Sequence, residues 1–223
     1  MMKSTVLDDL GRKHQTDKSS AWGAGHDFLR KYEFFLSPLR GEEFTFLELG
    51  VFKGASLRTW ADYFEKAHIV GVDMEESALD QAGGRVRVIL GDLGQTEFLK
   101  TLADLKPRVI IDDASHWWPD QLRALFVLYP ALAGGGLYIV EDIQTSFEPL
   151  AGHFSAGLGF RPFSLLTKVA EYMTGNDKPA PIFPDQKLRP LEKAAEFHEE
   201  IRFLADHTDA VTFLERAVIL IKK

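Results

Sequence analysis

From Phe44 to Val140 short apolar runs alternate with stretches whose apolar residues recur at helical spacing. "FTFLELGV" predicts a strand, "SLRTWADYFEKA" a helix and "HIVGVDM" a second strand. "RVRVILGDL" follows as a third strand, "TEFLKTLADL" as a helix and "RVIIDDAS" as a fourth strand. "DQLRALFVLYPALAGGG" reads as a helix ended by glycines, and "LYIVEDI" as a fifth strand. Strands that alternate with helices in this way need right-handed crossovers, which makes the sheet mostly parallel. Their near-continuous apolar character fits a sheet covered on both faces. The pattern therefore predicts an α/β chain.

The last third reads differently. "EIRFLAD" and "AVTFLERAVILIKK" are apolar and β-rich, and together they predict a hairpin that finishes the sheet with an antiparallel strand. Between them and the fifth strand, Gln144 to Glu199 contains "GNDKPAPIFPDQKLRP", where proline, glycine and polar residues cluster. That composition predicts a long loop region with short helices, either a lid over a binding site or a plain surface excursion. Within it, "FRPFSLLTKVAEYMTG" has the apolar spacing of an amphipathic helix, which suits a lid and ordinary packing equally. The expected organisation is a single domain over 1–223, with 1–40 as a helical cover and 144–199 as the insertion. Apolar residues in the first 40 positions could serve a contact between copies or simply cover the sheet.

Composition narrows the function classes. The chain has 223 residues, long enough for one sizeable core, and a net charge of -7. That balance argues against a nucleic-acid or anionic-membrane surface as the main partner. It contains no cysteine, which excludes disulfides, thiolate metal sites and cysteine nucleophiles. The N-terminal residues show no apolar signal segment, and no apolar run approaches the ~20 residues of a membrane span, so a cytoplasmic location is expected.

The candidate chemistry lies at the strand ends. "LELGVFKGAS" carries Glu48, Gly50 and Gly54 where a strand turns into a helix, and glycines there let the backbone approach a ligand closely. The second strand ends in Asp73, placed to bind ribose hydroxyls, and the third in Asp92 at the same edge. Three acids would repel a pyrophosphate but welcome a cationic nucleoside, which favours S-adenosylmethionine over a nicotinamide dinucleotide. The fourth strand then delivers Asp112, Asp113 and His116, and the fifth Glu141 and Asp142. Carboxylates converging without a cation are costly, and a hard divalent ion such as Mg²⁺ prefers oxygen ligands. The expected ligands are Asp113, Glu141 and Asp142, with Asp112 supporting the cofactor or the loop. His116 would accept a proton from a metal-bound hydroxyl.

These stretches resemble class I S-adenosylmethionine-dependent methyltransferases, and most of all the metal-dependent sugar O-methyltransferases of macrolide biosynthesis. The resemblance runs through "LGRKHQTDK", "FLELGVFKGASLRTWADYF", "IVGVDM", "VIIDDASH" and "GGGLYIVEDIQTSF". It implies a Rossmann-like, seven-stranded, mostly parallel sheet with a C-terminal antiparallel strand and helices on both faces. It implies a cofactor pocket of Glu48, Gly50, Gly54, Ser56 and Asp73, with Asp92 near the adenine. It also implies Mg²⁺ on Asp113, Glu141 and Asp142, His116 as general base, and Thr16, Asp17 or Lys18 closing the pocket with His26 and Tyr32 nearby. The chain departs from the family pattern at Gln15 and Ala114, where glycine is usual, and at Leu93, where glutamine is usual. Relatives of the macrolide type can carry an extra N-terminal domain; this chain is expected to lack one because it begins close to the sheet.

The expected reaction is methyl transfer to a hydroxyl of a sugar or glycosylated metabolite. Rivals are a catechol-like enzyme acting on a flat phenol, a non-catalytic protein that only binds the cofactor, and another chemistry such as hydroxylation on the same scaffold. Trp117 and Trp118 could stack on the acceptor, or one could be buried and the other left at the surface.

Overall fold

The computed structural model describes residues 4–23, 26–175 and 197–223. Two helices precede the sheet, α1 (Val6–His14) and α2 (Phe28–Leu36). Then come β1 (Thr45–Leu49), α3 (Ala55–Tyr63), β2 (His68–Asp73), β3 (Val86–Leu90), α4 (Thr96–Ala103), β4 (Val109–Asp112), α5 (Trp118–Leu128) and β5 (Leu137–Val140). The remainder holds α6 (Ala151–Phe154), α7 (Pro162–Gly175), α8 (His198–His207), β6 (Thr208–Phe213) and β7 (Val218–Lys222).

The sheet has the seven strands that the resemblance implies, in the order β3-β2-β1-β4-β5-β7-β6. β1 to β5 pair in parallel, and β7 runs antiparallel to both β5 and β6. Beyond β1 the chain first builds outward through β2 and β3, then returns to place β4 on the other side of β1. That reversal opens a crevice at the carboxyl ends of β1 and β4, the usual ligand position in such sheets.

Alternation along each strand sorts side chains onto two faces. Leu47, Leu49, Ile110, Tyr138 and Val140 join one core with α4, α5, α7 and α8. Phe46, Ile69, Val109, Ile111 and Ile139 join the other with α1, α2 and α3. Both faces are covered, which is why the strands carry so few polar residues.

The end of the chain corrects two expectations. "EIRFLAD" is not a strand but lies within α8. Ile201, Phe203 and Ala205 alternate as in a strand, yet Ile201, Leu204 and Ala205 also stand at helical spacing, and these three are buried while Phe203 is 38% exposed. The hairpin forms wholly within Thr208 to Lys222. The insertion is not only loop and short helices: α7 has 14 residues, and Leu165, Leu166, Val169 and Tyr172 bury it in the core beside α8. α7 is the amphipathic helix read in "FRPFSLLTKVAEYMTG", with its apolar face packed in the core. Most of "GNDKPAPIFPDQKLRP" lies outside the described residues. Among the described residues no helix is long and apolar enough to cross a membrane.

Candidate active site

The turn after β1 is held open by backbone geometry. Gly50 has φ +94, and a Cβ there would collide with the main-chain carbonyl of Asp113. Only glycine lets the ends of β1 and β4 meet so closely. Asp73, at the tip of β2, braces the turn from the side. Its Oδ2 accepts hydrogen bonds from the N–H groups of Val51 at 2.9 Å and Phe52 at 3.1 Å, and its Oδ1 from Glu75 N–H at 3.0 Å. Partial burial would raise its pKa, but these donors hold it below the usual carboxylate range.

A cavity of about 630 Å³ opens over this turn. Gly50, Ser56, Asp73 and Asp92 line one part of it, and Asp113, His116 and Asp142 another, with Lys18 between. The volume suits a nucleoside-sized ligand. Asp92 is exposed, and its carboxylate accepts from Gly94 N–H at 2.8 Å and the Gln95 amide at 3.2 Å. Gly54, with φ +67, caps the start of α3.

Behind the cavity three acids share one face of the sheet. Glu48 of β1 is level with Ile111 of β4, and Asp113 and Glu141 come two positions further along the neighbouring strands, on the same side. Glu48 and Glu141 are fully buried. Glu48 Oε2 accepts from Ser56 Oγ at 2.8 Å, while its Oε1 has no hydrogen-bond partner among the described residues. Burial pushes the Glu48 carboxyl up to about 7, against the pull of Lys18. Glu141 accepts from Tyr32 OH at 3.0 Å on one oxygen and from Lys18 Nζ at 2.7 Å on the other. Lys18 also donates to Asp113 and lies 3.9 Å from Glu48. Burial alone would discharge this lysine, but Asp113, Glu141 and Glu48 raise its pKa well above normal, so it stays an ammonium.

The sequence placed Lys18 and Tyr32 near the pocket but not in this role. The acids do need a cation, as their convergence implied, and the fold supplies one from a segment far upstream.

At the cavity edge a second group forms. Asp113, His116 and Asp142 can bring one ligand atom each within 4.8 Å of one another. His116 and Asp142 both adopt left-handed backbone, with φ 57 and φ 52, which turns their side chains toward each other at the ends of β4 and β5. His116 Nε2 is 3.4 Å from Asp142 Oδ2. Asp142 Oδ1 accepts from Arg216 Nη2 at 2.7 Å and from the Gln144 amide at 2.9 Å. Its pKa is lowered: burial opposes ionisation, but Gln144, His116 and Arg216 outweigh it. Arg216 sits in the turn between β6 and β7, and the sequence pattern gave no sign of its part here. Glu141 is not in this group, because Lys18 and Tyr32 engage both its oxygens.

Asp112 faces the opposite side of the sheet from Asp113 and does not line the cavity. It is buried against the Tyr138 phenol, and burial and the nearby charge of Asp113 push it up to about 7. Trp118 is buried at the start of α5, whereas Trp117 is 46% exposed beside His116 in the chain.

Residues 47–143 match the methyltransferase domain family. The chain is 36% identical over 152 residues to 8-demethyl-8-alpha-L-rhamnosyl tetracenomycin-C 2'-O-methyltransferase of Streptomyces olivaceus, an alignment covering 64% of this chain and 39% of that protein. It is 32% identical over 153 residues to mycinamicin VI 2''-O-methyltransferase of Micromonospora griseorubida, covering 64% and 37%. The chain thus spans about two fifths of the length of these curated relatives. In structure it is similar to the MycE methyltransferase of the mycinamycin biosynthetic pathway, solved with Mg, SAH and mycinamycin VI. The TM-score is 0.77 at 22% identity, over 99% of this chain and 55% of that one. That likeness establishes the fold.

Proposed function

We propose, from the premise that this chain carries a methyltransferase domain, that it transfers a methyl group from S-adenosylmethionine to a hydroxyl of a sugar or glycosylated natural product, with a divalent cation. The observation that carries the reading is the meeting of Asp113, His116 and Asp142 at the edge of a nucleoside-sized cavity. The sugar O-methyltransferase relatives support the acceptor class.

The residues fit both groups. The end of the cavity bordered by Gly50, Asp73 and Asp92 suits a nucleoside without phosphates, since the acids would repel a pyrophosphate. Ser56 and Glu48 stand behind it, and Glu48 Oε1, which makes no hydrogen bond among the described residues, is a buried acceptor 3.9 Å from the Lys18 ammonium. Asp113 and Asp142 bring carboxylate oxygens within 4.8 Å of each other, oxygen donors of the kind a hard cation such as Mg²⁺ takes, and Glu141 stands next to them as a third acid. When bound, such a cation supplies charge that lowers the pKa of an acceptor hydroxyl.

This chain's own groups then do the following. Asp73 fixes the backbone of Val51 and Phe52, which shapes the cofactor end. His116 Nε2 takes the hydroxyl proton, and Asp142 at 3.4 Å stabilises the imidazolium that forms. One nitrogen cannot accept a proton and ligate a cation at once, so we assign His116 to the proton. Arg216 and Gln144 hold the Asp142 carboxylate in place.

The test is calorimetric titration with S-adenosylmethionine and with Mg²⁺, followed by methyl transfer to rhamnosyl and other deoxysugar acceptors. His116→Ala is expected to keep both binding events and lose transfer by about 10²–10⁴-fold. Asp113→Asn is expected to lose Mg²⁺ binding. A folded parent that binds no S-adenosylmethionine defeats the reading. A product heavier by oxygen rather than by a methyl group would assign the scaffold to hydroxylation instead.

A further inference from the structure

We infer that Lys18 is a resident counter-ion that competes with the divalent cation for Asp113 and Glu141, and so sets how tightly this chain holds that metal. The inference rests on the functional reading above and concerns a residue that reading leaves without a task.

Lys18 is built into its place. It follows α1, and its carbonyl accepts from the N–H groups of Phe28 at 3.1 Å and Leu29 at 3.2 Å at the start of α2. Two residues on, Ser20 N–H donates to buried Asp8 of α1 at 2.8 Å, and Ser20 Oγ at 2.7 Å. The short connection is therefore tied down at both ends. Its lysine side chain, 3% exposed, borders the cavity and ends among three carboxylates.

An ammonium offers three N–H donors and no acceptor. Here it engages Asp113 and Glu141 directly and Glu48 at longer range. Asp113 is thereby shared between Lys18 and the group at the cavity edge. Glu141, next to Asp142 in the chain, has one oxygen on Lys18 and the other on Tyr32. It can join a metal only by giving up one of them. A positive charge touching a ligand carboxylate also repels an incoming divalent ion, and salt screens buried charges poorly.

The direction of the effect separates this role from a scaffolding one. If Lys18 only held the site together, removing it would loosen the ligands and weaken metal binding. If it competes, removing it takes away the repulsion and releases Glu141, and binding tightens.

The experiment is Mg²⁺ titration by calorimetry on the full chain, without S-adenosylmethionine, for the parent, Lys18→Met, Glu141→Gln and the double variant. Lys18→Met is expected to bind Mg²⁺ at least tenfold more tightly than the parent, with a larger Mg²⁺-induced rise in Tm. Adding Glu141→Gln to Lys18→Met is expected to remove most of that gain. Where Lys18→Met does not fold, Lys18→Gln keeps a donor to both carboxylates while dropping the charge, and the same tightening is expected. A parent that binds Mg²⁺ while the Lys18 variants bind it equally or more weakly overturns the inference alone and leaves the functional reading standing. A parent and Lys18 variants that all ignore Mg²⁺ defeat the cation part of the functional reading, and the inference with it.

Discussion

On the face of the sheet covered by α1 and α2, the carboxylates of Glu48, Asp113 and Glu141 gather around the ammonium of Lys18. On the other face Asp112 is more deeply buried than Asp113, its near neighbour is the phenol of Tyr138, and no ion pair of Asp112 occurs among the described residues. Asp112 and Asp113 are adjacent in sequence and identical in chemistry. The pleat of β4 alone sends one to a site that tolerates charge and the other to an apolar core that raises its pKa to about 7. The difference teaches that a carboxylate pair at a strand end is two residues with separate roles.

The strongest way to break the comparison is to remove the cation from the charged face. Lys18→Met without metal leaves buried acids uncompensated and is expected to lower the unfolding free energy by about 3–5 kcal/mol, read from the denaturant midpoint. Asp112→Asn is expected to cost under ~1 kcal/mol near pH ~4, where the parent carboxyl is neutral too and the pocket accommodates an uncharged group. It also sharpens the contrast through pH. Below about 4 the Asp112 carboxyl is protonated in folded and unfolded chains alike. As pH rises the unfolded chain ionises first, so the parent loses stability until about 7, where the folded group ionises too. The variant lacks that decline, so parent and variant are expected to diverge by on the order of 1 kcal/mol per pH unit between about 4 and 7, in urea titrations at stepped pH. A flat difference would mean that Asp112 is not held neutral. The smallest effect concerns the segment that carries Lys18. Gln15 ends α1 with φ 59, a conformation that favours glycine. Gln15→Gly is expected to raise stability by about 0.5–1 kcal/mol, measured as a shift in Tm, without altering Mg²⁺ affinity.

Much of this was legible in the sequence. Short, near-continuous apolar runs marked β1 to β5, and the glycines after β1 marked the turn, because those features are local and steric. The Trp117–Trp118 pair split into one exposed and one buried ring, one of the two arrangements its sequence allowed. α8 was misread because its apolar residues satisfy both periods at once. The site was legible up to its charge balance: the convergence of acids at one edge could be read, and so could their need for a cation. That Lys18 meets the need could not, since it stands 95 residues from Asp113 and 123 from Glu141 in sequence. Arg216 is likewise brought to Asp142 only by the turn of a hairpin 74 residues away.

That span has a kinetic meaning. The lysine lies upstream of the whole sheet, in the connection between α1 and α2, but the acids it neutralises are not assembled until β1, β4 and β5 have paired. Closing contacts so distant in sequence is slow, and the loop-entropy cost comes before any gain from the contact. Docking of the α1–α2 segment onto the acids is therefore expected in the last stage of folding, after the transition state for the sheet. Lys18→Met should accordingly accelerate unfolding while leaving the folding rate nearly unchanged, and the chain should commit to its sheet before it commits to its active site.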